Sequence, residues 1–420
     1  MENGNKPMTR VMPWRRAVTR NHGLALMSLA VVGAVASGVG FGAAALTQQR
    51  QHLGPAKVLV RNPAGGTLLS IACAGKRQCA AVGDDSTFFG PRKELGQWSG
   101  GRWRVKLVRG SKHAVGDLLN AVSCPTTREC LAVGTHYLRN GVAVPLAQVL
   151  SRSRWTVVSA PAPPVRGGSG SRLSGLSCLS VRNCFAVGFD QTRSGTVTLA
   201  EHWDGARWRI QPTPNAARSG ASMLIRVSCA TARACTAIGT FISRSGLESA
   251  FAERWGGIRW RIQPTASIKS ASGYALTGIF CPAIKFCFAV GGFAGRDQTL
   301  AETWYGIRWR TNPTPSPAHE LASTLSDVFC RSPKRCTAVG FYRPDYHRYG
   351  TLIEAWNGIA WRIQPSPNRS RVSDLFGVAC PAARECIAVG DYSTRLGLRR
   401  TLVETWYGIR WRIAPFPADQ

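Results

Sequence analysis

Fourteen cysteines fall in seven pairs of the form C-x5-C. They are Cys73 with Cys79, Cys124 with Cys130, Cys178 with Cys184, Cys229 with Cys235, Cys281 with Cys287, Cys330 with Cys336, and Cys380 with Cys386. Successive first cysteines lie 51, 54, 51, 52, 49 and 50 residues apart. A period sustained over seven copies demands a repeat architecture and excludes two or three unrelated domains.

The rest of the unit recurs with the cysteines. A leucine stands five residues before each first cysteine, from Leu68 to Leu375. After each second cysteine comes x-Ala-(Val/Ile)-Gly, as in Ala186-Val187-Gly188. A variable stretch follows, then Leu199-Ala200-Glu201-His202-Trp203, a short connection with Gly205, and Trp208-Arg209-Ile210-Gln211-Pro212.

Each unit reads as four short β-segments. Leu199, Glu201 and Trp203 alternate onto one face of the third segment. Turn dipeptides such as Asp204-Gly205 and Asn357-Gly358 join it to the fourth, which sets Trp203 opposite Trp208. Unit two departs, with Leu150 in the first Trp position. The proline after the fourth segment suits an outermost strand. A single small sheet cannot bury both its faces alone. The expected fold is therefore all-β: a seven-bladed β-propeller of four-stranded blades over 58–420. Val58 to Pro63 resembles a surplus fourth strand or a linker, which leaves ring closure open.

The order L-x-x-V/I-x-C, C-x-A-V-G, W-x-G-x-x-W resembles the Asp-box or BNR-type propeller repeat of sialidase-like and photosystem II assembly-factor-like propellers. The Ser and Asp of that box are not kept; its Gly and final Trp are, as in Gly306 and Trp309. The resemblance implies a propeller. It leaves a sialidase-like glycan hydrolase and a membrane-protein assembly factor as alternatives to a binding module.

Before the repeats, Arg10, Arg15, Arg16 and Arg20 precede an uncharged stretch from Gly23 to Leu46. The chain is expected to divide into a basic cytoplasmic segment 1–22, a hydrophobic helix 23–46, a linker 47–57 and the repeat domain. The helix is long enough to span a bilayer, and the preceding arginines orient the remainder outward. A retained signal-anchor makes a single-pass cell-membrane protein. A cleaved signal peptide, with small residues at Ala34-Val35-Ala36 or Ala43-Ala44-Ala45, makes a secreted one. Both place the repeats outside the cytoplasm, where seven C-x5-C pairs read as seven disulfides.

A hydrophobic fraction of 44% with 18% charged residues excludes a mainly disordered chain. Lys and Arg number 53 against 22 Asp and Glu, a formal +31. Residues 1–50 hold six of the bases and one acid, so the repeats keep 47 against 21. Such a surface favours anionic partners. The compartment points to envelope polymers or a protein and away from nucleic acid. A monomer is expected.

The 2–3 loops vary while the 1–2 loop and 3–4 turn are nearly uniform, so ligand contacts are expected on the 2–3 face. Those loops carry Arg92, Arg139, Arg193, Arg244, Arg296, Arg343, Arg348, Arg395, Arg399 and Arg400, with Tyr346 and His347 in the sixth. Arg226 and Asp327 stand three residues before a cysteine, where other units hold Gly, Ser or Ala, and are candidates for the central channel. Glu201, Glu253, Glu302, Glu354 and Glu404 repeat in strand three, with Gln97 and Gln148 in their place in units one and two. Seven copies read as hydrogen-bond or ion-pair partners between strands, not as catalysts. No nucleophile elbow, phosphate loop or metal cluster stands out, so no catalytic residue, metal or cofactor is expected.

Overall fold

The structure, a computed structural model, describes residues 66–416 except 77, 86–91, 100–101, 109–113, 152–153, 165–167, 217–219, 244–245, 267–272, 294–297 and 318–319. The expected segments 1–22, 23–46 and 47–57, and the strand-like stretch 58–63, lie outside the described residues. Among the described residues no helix is long and apolar enough to cross a membrane.

The described residues form 28 strands in seven four-stranded antiparallel units: 67–108, 114–158, 170–211, 222–263, 274–312, 322–364 and 373–413. Within each unit the strands pair in chain order, the fourth outermost. Units 2 and 3 are joined by one parallel bridge, Ala143 to Gly170, so the seven units make six sheets. The anticipated tryptophan register holds: Trp203 faces Trp208, Trp255 faces Trp260, and their rings stand 5.6 and 5.8 Å apart.

Why seven small sheets hold together is visible in their second strands. Alternate residues point to opposite faces. In unit 1, Ala81 packs towards unit 7 while Ala80 and Val82 pack towards unit 2. Every hydrophobic cluster straddles a seam between neighbours, and there are seven seams. No unit has a core of its own, which excludes a string of independent domains. The first strands touch in sequence and return from unit 7 to unit 1. That last seam is closed by side chains. Phe416 is fully buried against Trp103, rings 5.6 Å apart, which stabilises the join by roughly 2 kcal/mol.

Each first strand carries a β-bulge just after its leucine, as between Leu224 and Arg226 or Leu325 and Asp327. The bulge brings the strand's backbone against the glycine of the next. A Cβ on Gly239 would fall on the Met223 carbonyl oxygen, and one on Gly340 on that of Thr324. Close backbone approach, not turn chemistry, therefore requires the final residue of Ala-(Val/Ile)-Gly.

All seven expected disulfides are formed. Cys73 is bonded to Cys79, Cys124 to Cys130, Cys178 to Cys184 and Cys229 to Cys235. Likewise Cys281 is bonded to Cys287, Cys330 to Cys336 and Cys380 to Cys386. The described residues contain no free cysteine. Each bond joins the first and second strands across a tight turn, Cα atoms 3.9–4.0 Å apart. Closing so short a loop stabilises by about 2 kcal/mol in the chain-entropy model. The second cysteine of each pair is also buried, Cys184 and Cys235 completely, so the bond packs into the seam between units. Neighbouring units are stitched near the cysteines as well. The Ser123, Ser177 and Ser228 hydroxyls accept from the amides of Cys178, Cys229 and Cys281 at 3.1, 3.0 and 2.9 Å. Between units 5 and 6 a ring contact at 4.6 Å, Phe280 on Phe329, stands in that place.

The repeated glutamates are fully buried. Two of them bond to the neighbouring unit, whereas both carboxyl oxygens of Glu201, Glu253 and Glu354 are buried without a hydrogen bond among the described residues. Glu404 accepts from the Ser366 hydroxyl at 2.7 Å, and Glu302 from the Ala266 amide at 3.1 Å, each in the segment leaving the preceding unit. None of the ion pairs between described residues involves these glutamates. One assignment needs correcting. Ala81 pairs with Gly96, so Gly96 occupies the glutamate position in unit 1 and Gln97 sits one residue on. Gln148, opposite Ala132, is placed as expected.

Candidate functional site

The sheets end on two faces. One bears the disulfide turns and the 3–4 turns. The other bears the 2–3 turns together with the segments that connect units: Tyr349 and Ser393 donate their amides to the Arg371 and Val372 carbonyls at 2.8 and 2.9 Å.

On this second face Arg139, Arg193 and Arg395 stand exposed at the tips of their turns. Arg92 opens the third strand of unit 1, and its side chain lies outside the description, as do Arg244 and Arg296 entirely. Arg400 is half-buried on the third strand of unit 7, opposite Tyr392. The sixth turn is the most built. Tyr346 and His347 form its exposed tip between Asp345 and Arg348, which pair across it. Arg343 lies over the rings of both Tyr346 and Tyr349, at 5.2 and 5.3 Å from their centres. It also donates to the Asp345 and Tyr346 carbonyls at 3.2 and 3.3 Å. The His347 amide, then Arg348 at 2.6 Å, hold the Asp345 carboxyl below its ordinary range. Two further stacks share the face: Arg172 over Tyr137 and Phe189, and Arg369 over Tyr392.

The inner rim of this face is not uniform. Units 4 to 6 present aromatic pairs: Phe241 with Phe251, Tyr274 with Phe293, Phe341 with Tyr349. Units 7, 1, 2 and 3 present carboxylates. Asp117 bonds His136, and Asp190 accepts from Ser171 at 2.7 Å. At the closing seam Asp391 accepts from Arg399 and from Thr67, both at 2.6 Å. Asp374 lies directly opposite Asp391 on the neighbouring strand. Burial pushes both carboxyls up, Asp374 to about 7, with the neighbouring Asp391 adding to the rise and Arg399 opposing it.

Arg226 and Asp327 occupy the bulged inner strands as expected, but each is committed to a neighbour. Arg226 donates to the Ser174 carbonyl of unit 3 at 3.0 Å, and Asp327 accepts from the Val378 amide of unit 7 at 3.0 Å. Burial raises the Asp327 carboxyl to about 6, with the charge of Arg226 opposing it. Beside them the inner residues are small. A Cβ on Gly175 would meet Arg226, and one on Gly278 would meet Asp327. The two residues tie units around the axis.

Three features escaped the sequence reading. The acidic seam joins Thr67 to Asp391 across 324 residues, which no local pattern signals. The strings Pro212-Thr213-Pro214-Asn215 and Pro365-Ser366-Pro367-Asn368 were legible but unread: Asn215 and Asn368 accept from the Thr198 and Thr351 amides at 2.9 and 2.8 Å. The third is the row of isoleucines on the opposite face. No group of three or more His, Cys, Asp or Glu among the described residues has the arrangement to hold a metal ion.

No family model matches the chain, and no curated protein matches its sequence. Solved structures do. An ulvan lyase of polysaccharide lyase family 25 superposes with a TM-score of 0.54 at 9% identity, covering 84% of this chain and 97% of that one. A family 74 xyloglucanase from Xanthomonas campestris gives 0.49 at 12% identity, covering 84% of this chain and 55% of the xyloglucanase. Aleuria aurantia lectin gives 0.39 at 10%, covering 84% and 98%. The ulvan lyase match establishes a propeller-like fold. At 9% identity it shows the fold alone.

Proposed function

We propose that the chain is a seven-bladed propeller held outside the cytoplasm, tethered by its 23–46 segment, that binds an acidic polysaccharide of the cell envelope. The ligand lies across the face of the 2–3 turns. The observation that carries the reading is the stacking of guanidinium groups on rings there, with Arg343 over Tyr346 and Tyr349 at its clearest point. A pyranose lays its C–H face on an aromatic ring, and its carboxylate or sulfate takes a charge-assisted bond from arginine. Exposed Arg139, Arg193 and Arg395 extend the positive field along a polymer. A structural neighbour named as a polysaccharide lyase supports the direction. The kinship with Asp-box repeats and a monomeric state belong to the same proposal.

The test is binding of a polyuronate, with a neutral glucan as control, at low and high salt. The double variant Arg343→Ala with Tyr346→Ala is expected to weaken polyuronate binding about tenfold, consistent with one lost anchor. Equal binding of both polymers would overturn the reading.

One observation favours a second reading, glycan cleavage. Asp374 and Asp391 oppose each other, and only Asp391 is held by Arg399 and Thr67. Two facing carboxyls, both raised by burial and only one of them held by a cation, are a general acid–base arrangement. Release of new reducing ends from a bound polymer, abolished in Asp374→Asn, would establish it. Binding without release would dismiss it.

A further inference from the structure

The face opposite the 2–3 turns carries an apolar row with no partner among the described residues. The 3–4 turns of units 4 to 7 read Trp-x-Gly-Ile-x-Trp in register, or Trp-x-Gly-Ile-Ala-Trp in unit 6. Their tips Ile258, Ile307, Ile359 and Ile409 are 89, 88, 86 and 91% exposed. Each follows a glycine in the left-handed region, φ 95, 83, 98 and 90°, which turns the isoleucine outward. Unit 3 has Ala206 at this place.

A cation stands beside every tip. The stems of Arg233, Lys285, Lys334 and Arg384, from the adjacent disulfide turns, pack against those four glycines, and all four side chains are exposed. Arg259, Arg308 and Arg410 directly follow three of the isoleucines. The repeating element is thus one apolar tip with one or two positive charges at its base.

Two hollows lie near the row, one on unit 4 and one between units 6 and 7. One, of about 630 Å³, lies beside Ile258 and is lined by Arg254, Arg259, Arg261 and Ile262. The other, of about 330 Å³, lies between units 6 and 7 and is lined by Trp356, Trp406, Arg331 and Arg335. Its origin is local. In unit 4, Arg254 covers the ring of Trp304 in unit 5 at 5.7 Å. The equivalent residue in unit 6 is Ala355, which leaves the space against Trp406 open. Arginine with tryptophan is the lining that suits a lipid phosphate and the glycerol level beneath it.

Equivalent positions in units related by rotation lie at one height along the axis. Four tips spaced one per unit therefore meet a flat surface together, whereas a globular partner would need one continuous patch. We propose that units 4 to 7 dock on the surface of an anionic bilayer. The isoleucines enter the headgroup–acyl boundary, and the cations and hollows take lipid phosphates. The opposite face then points away from the membrane, where a polymer can reach it. The inference stands on different residues from the polysaccharide reading.

The test uses the full chain in vesicles of phosphatidylcholine, with or without about 30% phosphatidylglycerol, read by hydrogen exchange at each turn. The expected result is exchange slowed about tenfold at 256–259, 305–308, 357–360 and 407–410 with anionic lipid, with turn 204–207 of unit 3 unchanged. The protection should vanish in the variant carrying Ile258→Ser, Ile307→Ser, Ile359→Ser and Ile409→Ser. These sites are exposed, so that variant keeps its fold. Charge removal by Arg233→Gln, Lys285→Gln, Lys334→Gln and Arg384→Gln should reduce it to the level of neutral vesicles. Equal exchange with and without anionic lipid would overturn the proposal. So would protection in native membranes but not in protein-free vesicles, which would assign the row to a protein partner.

Discussion

The two faces of the same sheets differ in what repeats. On the disulfide face every unit ends in a cystine, units 3 to 7 add a basic residue against a turn glycine, and units 4 to 7 add an isoleucine tip. On the 2–3 face backbone geometry recurs in places, the turn at Ser243, Gly246 and Leu247 matching that at Thr394, Gly397 and Leu398, but the charged and aromatic side chains among the described residues differ from unit to unit. One turn stacks Arg343 on tyrosines, one seam sets Asp391 between Arg399 and Thr67, and one strand pair joins Asp117 to His136. Residues that repeat answer to packing or to a partner with the same geometry at every unit. Residues that differ from unit to unit read a ligand that is itself irregular, or build a single site.

The sharpest test of the repeated part is backbone approach. Gly239→Ala drives a Cβ onto the Met223 carbonyl and should cost more than about 3 kcal/mol, read by denaturant unfolding. Gly246, in the 2–3 turn of the same unit, has open space around its Cβ position but φ of 80°. Gly246→Ala should cost only about 1 kcal/mol, the left-handed penalty. Equal losses would break the distinction between seam glycines and turn glycines. Next in size are the cystines. Cys330→Ser with Cys336→Ser should cost about 2 kcal/mol, as should the equivalent change in any other unit. A unit that lost far more would mark a site where the staple does something besides shorten the unfolded chain.

The buried glutamates predict a smaller, pH-dependent effect. Burial raises Glu201, Glu253 and Glu354 to about 8 and Glu302 and Glu404 to about 7, from 4.5 when exposed. The folded state then binds more protons than the unfolded one between those limits. The stability these groups contribute is fully present below pH 4.5 and is lost as pH rises through 7 to 8. Tm should drop by at least about 5 °C from pH 5 to pH 8.5, and the five Glu→Gln changes together should flatten the curve. A flat or rising wild-type curve would show that these carboxyls are ionised in the fold. Smallest of all, Arg139→Gln, Arg193→Gln and Arg395→Gln should each shift stability by under about 0.5 kcal/mol, because the side chains are exposed.

How much could be read in advance follows the same division. Strand order, the Trp203–Trp208 register and the cystines were legible because each is a local pattern repeated along the chain. The slip at Gln97 arises because unit 1 has no Glu there; counting two residues back from Trp98 gives Gly96, which the pairing of Ala81 with Gly96 bears out. The bulges stayed hidden because an extra residue leaves the spacing from leucine to cysteine unchanged in every unit. The Thr67–Asp391 contact was beyond reach, since it spans the seam where the two ends of the ring meet, while its companion Arg399–Asp391 lies within unit 7. Arg226 and Asp327 stand out in the sequence as channel candidates, and in the structure their hydrogen bonds go to neighbouring units.

The measurement that tests the central claim most directly is a hydrogen-exchange footprint of a bound polyuronate on the full chain. A ligand-reading 2–3 face predicts protection at 138–142, 343–349 and 394–398, with the turns around Ile258, Ile307, Ile359 and Ile409 unchanged. Protection confined to those isoleucine turns, or absent from both faces, would contradict it.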